Sequence, residues 1–219
     1  MAVKILIVDD HPLFRGALRL AVSGAFDDPQ IFEAADLDAA LAEIAANAGL
    51  DLILLDLNLP GARGFSGLLQ LRAQHPALPV IMVSGSTETA TISLAMQFGA
   101  SGYIPKTSSI DTMRLALHSV LDGGTWVPPG TGVESAGDSE IARMAKKMAR
   151  LTPQQLRVLS MLSDGRLNKQ IAYALDVSEA TVKAHVSAIL QKLDVDSRTQ
   201  AVIAANRMLP QTEAGFSGA

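Results

Sequence analysis

Cysteine is absent from the 219 residues of this chain. That excludes disulfides, thiolate-held zinc and a cysteine nucleophile. Long apolar runs are missing too: nothing approaches the roughly 18 residues that a membrane span needs. The N-terminal apolar stretch stops at Asp9, too early for a secretory leader. No glycine-rich phosphate loop follows that first stretch, which argues against a dinucleotide enzyme. These absences point to a cytoplasmic protein with no membrane partner. Hydrophobic residues make up 48% of the chain, enough for ordinary buried cores. The length suits two domains as well as one.

The net charge of -4 conceals an asymmetry. Residues 1–140 carry 7 Lys+Arg and 16 Asp+Glu, a net of -9; residues 141–209 carry 11 and 5, a net of +6; Glu213 supplies the last -1. An acidic front and a basic back imply separate tasks, with a polyanion as one candidate partner of the back half and plain solvated charge as the alternative. The halves meet at Pro128-Pro129-Gly130-Thr131-Gly132, which cannot continue a helix. The organisation expected is therefore a domain over 1–123, a linker over 124–150, a second domain over 151–209 and a disordered tail over 210–219. Within the linker, Ile141, Met144, Ala145 and Met148 recur at helical spacing and predict a short amphipathic helix.

Residues 1–123 alternate strand and helix patterns. Strands are expected at 4–8, 30–34, 52–55, 79–83 and 102–104, with helices at about 12–24, 37–47, 64–74, 88–98 and 109–122. Five such alternations predict an α/β doubly wound, five-stranded parallel sheet, whose ligands collect at the carboxyl edge of the strands. Asp56 follows the apolar run Leu52-Ile53-Leu54-Leu55, and Asp9-Asp10 follows Lys4-Ile5-Leu6-Ile7-Val8. Three carboxylates at one sheet edge repel unless a cation joins them, and an oxygen-only cluster suits a hard ion such as Mg²⁺. Ser84, Thr87 and Lys106 fall at the same edge. An anionic nucleophile, a metal site, a hydroxyl and a fixed cation suit phosphoryl transfer to a carboxylate. Taken singly, each of these residues is better explained as a turn former, a cap or a solvated charge. Together, at the ends of four strands, they are not.

Val8-Asp9-Asp10-His11-Pro12, Leu55-Asp56-Leu57-Asn58-Leu59-Pro60 with Gly64, Val83-Ser84 and Gly99-Ala100-x-Gly102-Tyr103-x-x-Lys106 resemble the receiver domain of response regulators. The resemblance implies that Asp56 is the phosphoacceptor, that Asp9 and Asp10 hold Mg²⁺ with Asp56 and the backbone carbonyl of Asn58, and that Lys106 contacts the phosphoryl group. It also implies that Ser84 and Tyr103 form a switch pair, in which the phosphoryl group draws Ser84 inward and Tyr103 follows. Leu59 stands where Met is commoner. Gly85 stands where Ala is frequent and lets the backbone approach the phosphoryl group.

In the back half, Thr152-Pro153-Gln154-Gln155 predicts a helix start with a capping box. Asp164-Gly165 ends that helix. A short helix over 168–175 and a longer one over 179–193 capped by Ser178 follow, then a fourth over 198–208. Two helices joined by so short a turn in a basic domain fit a helix-turn-helix, although a small bundle for protein contacts shares the pattern. Leu151-Thr152-Pro153, Asn168-Lys169-x-Ile171-Ala172, Val177-Ser178-Glu179-x-Thr181-Val182-Lys183-x-His185 and Lys192-Leu193-x-Val195-x-Ser197-Arg198-Thr199 resemble the LuxR-type (NarL/FixJ) helix-turn-helix. By that resemblance Lys183, Ala184 and Ser187 face the major groove of double-stranded DNA, while Asn168, Lys169, Thr181 and Arg198 reach phosphates. Leu167 stands where a capping Ser or Thr is usual, and Asn168 is expected to take over the cap.

The reading as a whole is a two-component transcriptional response regulator and not an enzyme. A sensor histidine kinase is the expected donor, and phosphorylation is expected to favour a homodimer on DNA. Charge attraction between the halves is expected to mask the recognition helix until then. A haloacid-dehalogenase-like phosphatase is the enzyme alternative, but Asn58 occupies the position where its second Asp belongs. A DNA-binding regulator controlled by protein contacts, without phosphorylation, is the other.

Overall fold

The computed structural model describes residues 2–60, 62, 64–131, 143–144 and 147–208. Linker positions 132–142, Ala145 of the expected amphipathic helix and the tail over 210–219 lie outside them.

The five apolar runs form strands β1 (Lys4–Val8), β2 (Gln30–Ala34), β3 (Leu52–Asp56), β4 (Val80–Ser84) and β5 (Gly102–Pro105), all parallel, in the order β2-β1-β3-β4-β5. The crossovers are α1 (Pro12–Ala25), α2 (Leu37–Ala46), α3 (Ser66–Gln74) and α4 (Thr89–Gln97), and α5 (Ile110–Leu121) follows β5. All five residues of β3 and of β4 are buried, as expected of inner strands covered on both faces.

Alternate residues feed two apolar layers. Ile5, Ile7, Leu52, Leu54, Ile81 and Val83 point to one face, with Leu18 and Val22 of α1 and Met113 and Leu117 of α5. Leu6, Val8, Ile53, Leu55 and Met82 point to the other, with Leu37, Leu68, Leu69 and Ile92. The period of two along each strand thus fixes which helices cover which face. Local signals set the helix ends. Asp36 accepts from the backbone N–H of Ala39 to start α2, Ser109 does the same for Thr112 at α5, and Pro12 opens α1. Gly64 adopts φ +51 in the turn before α3, where a side chain would be strained.

The second region is all helical: α6 (Pro153–Ser163), α7 (Asn168–Leu175), α8 (Glu179–Leu193) and α9 (Arg198–Met208). The expected capping box at Thr152 and Gln155 is formed in both directions, and Ser178 caps α8 at Thr181. Asp176 turns the chain between α7 and α8 with φ +52, a left-handed position that Asp tolerates better than most residues. Val158, Leu159, Ile171, Val182, Ile189, Leu193 and Ala201 make the core, which Met148 and Leu151 join from the end of the linker.

One cap differs from expectation. Leu167 occupies the N-cap of α7 and has no side-chain acceptor, and Asn168 does not replace it. The Asn168 amide oxygen instead accepts from Arg198 Nη1 at 3.1 Å, and Gln170 Oε1 receives the Leu167 N–H at 2.8 Å. Half a capping box is retained, and the Asn168 side chain is spent on tying α7 to α9.

The two regions touch. Helix α6 lies against α3, and Arg157 Nη2 meets Asp38 Oδ1 at 2.6 Å. A cavity of about 280 Å³ remains beside this contact, lined among others by Asp36, Pro60, Ser66, Gln70, Leu156 and Arg157.

Phe65 ties α3 to the sheet. It is fully buried and its ring lies 5.3 Å from that of Phe98 at the end of α4. Phe65→Ala should destabilise the receiver region by about 3–5 kcal/mol, read as a lower midpoint in denaturant unfolding. An unchanged midpoint would remove this ring from the account of the core.

Candidate functional site

The carboxyl ends of β1 and β3 place Asp9 and Asp56 side by side, because the two central strands pair in register from Ile5–Leu52 to Val8–Leu55. Both side chains are buried, Asp9 completely and Asp56 with 3% of its surface exposed. Burying two carboxylates together is costly unless cations and donors compensate. Lys106 supplies much of that compensation. Its backbone N–H is fixed to the carbonyl of Ser84 at the end of β4, and its Nζ lies 2.7 Å from Asp9 Oδ2 and 2.8 Å from Asp56 Oδ2. The ammonium also lies 4.7 Å from the centre of the Phe14 ring.

Backbone donors complete the fixing. Asp56 Oδ1 accepts from the N–H of Asn58 at 3.2 Å, and Asp9 Oδ1 from the N–H of His11 at 2.7 Å. Asp10 is half-buried, with Oδ1 2.7 Å from His11 Nδ1. Asp9, Asp10, His11 and Asp56 can each present a ligand atom within 4.8 Å of one another. Asp9 Oδ2 and Asp10 Oδ1 are buried yet make no directed hydrogen bond among the described residues, and they face the Lys106 ammonium and the His11 ring respectively. Buried oxygens of this kind fit a hard divalent ion such as Mg²⁺. Asn58 contributes its N–H to Asp56, and its side chain is exposed. His11 beside the acidic pair is a contact that sequence reasoning did not single out, although it follows Asp10 directly.

The electrostatics agree with this packing. Burial pushes the Asp56 carboxyl above its ordinary value, against the opposing pull of Lys106 and of the Asn58 N–H, and the neighbouring Asp9 adds to the rise. Burial works against the charged form of Lys106, but Asp56 and Asp9 outweigh it and hold the ammonium above its usual range.

Ser84 and Tyr103 lie on the neighbouring strands. Ser84 is buried and its Oγ accepts from the N–H of Ser86 at 3.1 Å. Tyr103 is fully buried, and its hydroxyl donates to the Ser86 carbonyl at 2.8 Å. The ring therefore already occupies the inward position to which it was expected to move. A Cβ at Gly85 would meet nothing within 4 Å, so no packing inside the chain requires glycine there.

The helical region presents a second surface. On α8, Val182, Ile189 and Leu193 turn inward, which leaves Lys183, Ala184 and Ser187 exposed on the opposite side. Thr181 sits in the cap, its hydroxyl 2.8 Å from that of Ser178. Lys169 is exposed at the start of α7. Asn168 and Arg198, expected at phosphates, are bonded to each other, and Arg198 also donates to the carbonyl of Arg166. The receiver region packs on α6 and leaves the face of α8 open, so the expected masking of the recognition helix is not what the structure shows. Charge attraction between the halves does act, but at Asp38 and Arg157, where acidic α2 meets basic α6.

Comparison with known proteins assigns a family to each of the two regions. Residues 5–118 match the response regulator receiver domain, and residues 149–205 match the bacterial regulatory proteins of the luxR family. The glycerol metabolism activator of Pseudomonas putida is 44% identical over 210 residues, covering 92% of this chain and 94% of that protein. The nitrate/nitrite response regulator NarL of Escherichia coli K12 is 33% identical, covering 91% and 93%. Among solved structures, a LuxR family DNA-binding response regulator from Silicibacter pomeroyi is 33% identical with a TM-score of 0.52, covering 58% of this chain and 98% of that one. RcsB of Salmonella typhimurium shares the fold, with a TM-score of 0.54 at 20% identity over 92% of this chain and 97% of that one. An acidic pocket compatible with Mg²⁺ and a LuxR-type helix-turn-helix occur here in one chain, and this chain belongs to the two-component response regulators that carry a LuxR-type DNA-binding domain and regulate transcription.

Proposed function

We propose that phosphorylation of Asp56 controls the dimerisation of this chain and its sequence-specific binding to DNA. The observation that carries this reading is the ammonium of Lys106, held between the buried carboxylates of Asp9 and Asp56. An Asp56 oxygen attacks the phosphorus of a phosphohistidine on a sensor kinase, the P–N bond breaks, and the imidazole leaves with the bonding electrons. Lys106 faces the acceptor carboxylate, positioned to balance charge on the transferred oxygens. Asp9, Asp10, Asp56 and the Asn58 carbonyl would hold Mg²⁺, which supplies neutralisation of the phosphoryl charge when bound.

Ser84 and Tyr103 report the state of the site through Ser86, to which both are bonded. The contact of α3 with α6 supports a direct influence of the receiver on the helical domain. Lys183, Ala184 and Ser187 read the major groove, with Thr181, Lys169, Asn168 and Arg198 at or behind the phosphates. The Asn168–Arg198 bond makes that pair a brace between α7 and α9 as well. Kinase partner, cytoplasmic location and dimer follow from the same reading. The 44% identical relative named as an activator favours activation over repression.

Three outcomes follow. Incubation with acetyl phosphate and Mg²⁺ should tighten binding to the target promoter at least several-fold and raise the sedimenting mass toward a dimer. Asp56→Asn should abolish both responses, and a variant that still responds would contradict the assignment.

Metal-free stability provides a second check. A carboxyl whose folded pKa is raised stabilises the fold below its unfolded value of 3.8, and that contribution is lost as pH rises through the folded value. Asp56→Asn, which mimics the uncharged form, should therefore unfold at higher temperature than the wild type at neutral pH. Its advantage should shrink as pH falls toward the unfolded carboxyl value. An Asn variant less stable at neutral pH would mean that Lys106 more than offsets the burial of Asp56.

On the DNA side, Lys183→Ala should cost about 1–3 kcal/mol on the specific site and relax sequence preference. Lys169→Ala should weaken specific and random duplexes alike and flatten the salt dependence. Equal losses on both DNAs for Lys183→Ala would move Lys183 to the backbone contacts.

A further inference from the structure

Arg15 stands one helical turn into α1, outside the acidic cluster, yet it reaches back into it. Its Nη1 donates to the backbone carbonyl of Asp9 at 2.7 Å, and its Nε lies 3.3 Å from Glu33 Oε2 on β2. Glu33 is shared with Arg19, which contacts its other oxygen. The Arg15 side chain keeps 20% of its surface exposed and that of Glu33 keeps 28%. The arrangement is a guanidinium whose direction is set by a carboxylate on a neighbouring strand and whose free edge grips one peptide group.

That peptide group is the one that joins Asp9 to Asp10. Asp9 is held on its other sides already: its N–H donates to the Ala34 carbonyl, its Oδ1 accepts from His11, and its Oδ2 faces Lys106. Among the described residues, the Asp10 side chain makes no such backbone contact, and its ionic partner is His11 Nδ1. With the Asp9 carbonyl held, the planar peptide restricts where the Asp10 Cα stands, and the Asp10–His11 contact restricts the carboxylate from there.

From this geometry we infer that Arg15, oriented by Glu33, is a positioning residue for the acidic site. It fixes the Asp9–Asp10 peptide and so sets the affinity of the site for its divalent cation. The inference rests on the metal-site reading above and adds to it a residue from α1 and one from β2. Two effects of Arg15 oppose each other in sign. Its positive charge near the site disfavours a cation, so charge alone predicts tighter binding when Arg15 is removed. Its grip on the peptide favours the cation by presenting both carboxylates in place. Loss of a partner that orients a ligand commonly costs about 10–100-fold in metal affinity. Glu33 screens part of the Arg15 charge, although Arg19 shares that carboxylate, and positioning is inferred to outweigh the charge that remains.

The test is a Mg²⁺ titration of the full chain followed by thermal unfolding, without phosphodonor. Arg15→Ala should unfold near the wild-type temperature in EDTA but need about ten-fold more Mg²⁺ for the half-maximal stabilising shift. Arg15→Lys keeps the charge but cannot grip both Glu33 and the carbonyl, and should fall between the two. With acetyl phosphate, the Mg²⁺ concentration for half-maximal phosphorylation should rise in Arg15→Ala while the rate at saturating Mg²⁺ is retained. An unchanged or lower Mg²⁺ requirement in Arg15→Ala overturns the inference. If Arg15→Ala fails to fold, Arg15→Lys decides by the same measure, a raised requirement supporting the inference and an unchanged one overturning it. A wild-type chain with no Mg²⁺ shift at all contradicts the metal-site reading itself, which separates the two failures.

Discussion

The ion contact between Lys106 and the two buried carboxylates is the constraint on which the site depends. Asp9 and Asp56 lie together because β1 and β3 pair in parallel at the centre of the sheet. Their mutual repulsion in a buried setting would favour protonation or local opening without a cation between them. Lys106 reaches both from the end of β5, two places from β3 and three from β1, with its backbone fixed to Ser84. The sheet order, the fully buried inner strands and the apolar layers on both faces thus serve one geometric result. They hold an anionic pair and a cation at a fixed spacing. The cost appears in the raised pKa of Asp56, a strained electrostatic state of the kind expected at a functional site.

The link to the helical domain begins four residues after Asp56. Pro60 lines the cavity that Leu156 and Arg157 of α6 share with Ser66 and Gln70 of α3. Asp56 is therefore joined to the domain interface by four residues of chain. Asp38 and Arg157 are both substantially exposed, and an exposed ion pair contributes at most about 1 kcal/mol. Leu156 of α6 belongs to the same buried apolar cluster as Leu37, Phe65 and Leu68 of the receiver region, so packing adds to that pair. The receiver region leaves Lys183, Ala184 and Ser187 of α8 exposed, so covering of that helix is not part of the described arrangement.

Much of this was legible in the residues. Unbroken apolar runs before Asp9, Asp56 and Ser84, with a shorter one before Lys106, marked the strands and their shared edge, since the sheet rules place all parallel strand ends together. Capping signals at Thr152 and Ser178 marked helix starts that the structure retains. What escaped were contacts whose partners lie far apart in sequence and carry no spacing signature. The Arg157–Asp38 pair spans 119 residues. Asn168 and Arg198 are both polar residues of a DNA-binding motif, and nothing in their order says that they satisfy each other. The inward Tyr103 depends on a rotamer, which a sequence does not encode. The masked recognition helix was argued from net charge, which says that two surfaces attract but not which helices meet.

The central claim is that one carboxylate, Asp56, accepts the phosphoryl group. The most direct measurement traps the acyl phosphate: the chain is phosphorylated in Mg²⁺, reduced with borohydride, digested and mapped by fragment mass. The account predicts a single modified position, with Asp56 converted to homoserine and Asp9 and Asp10 untouched. A trapped product at any other carboxylate, or a chain that gains phosphate but yields no homoserine at position 56, would contradict it.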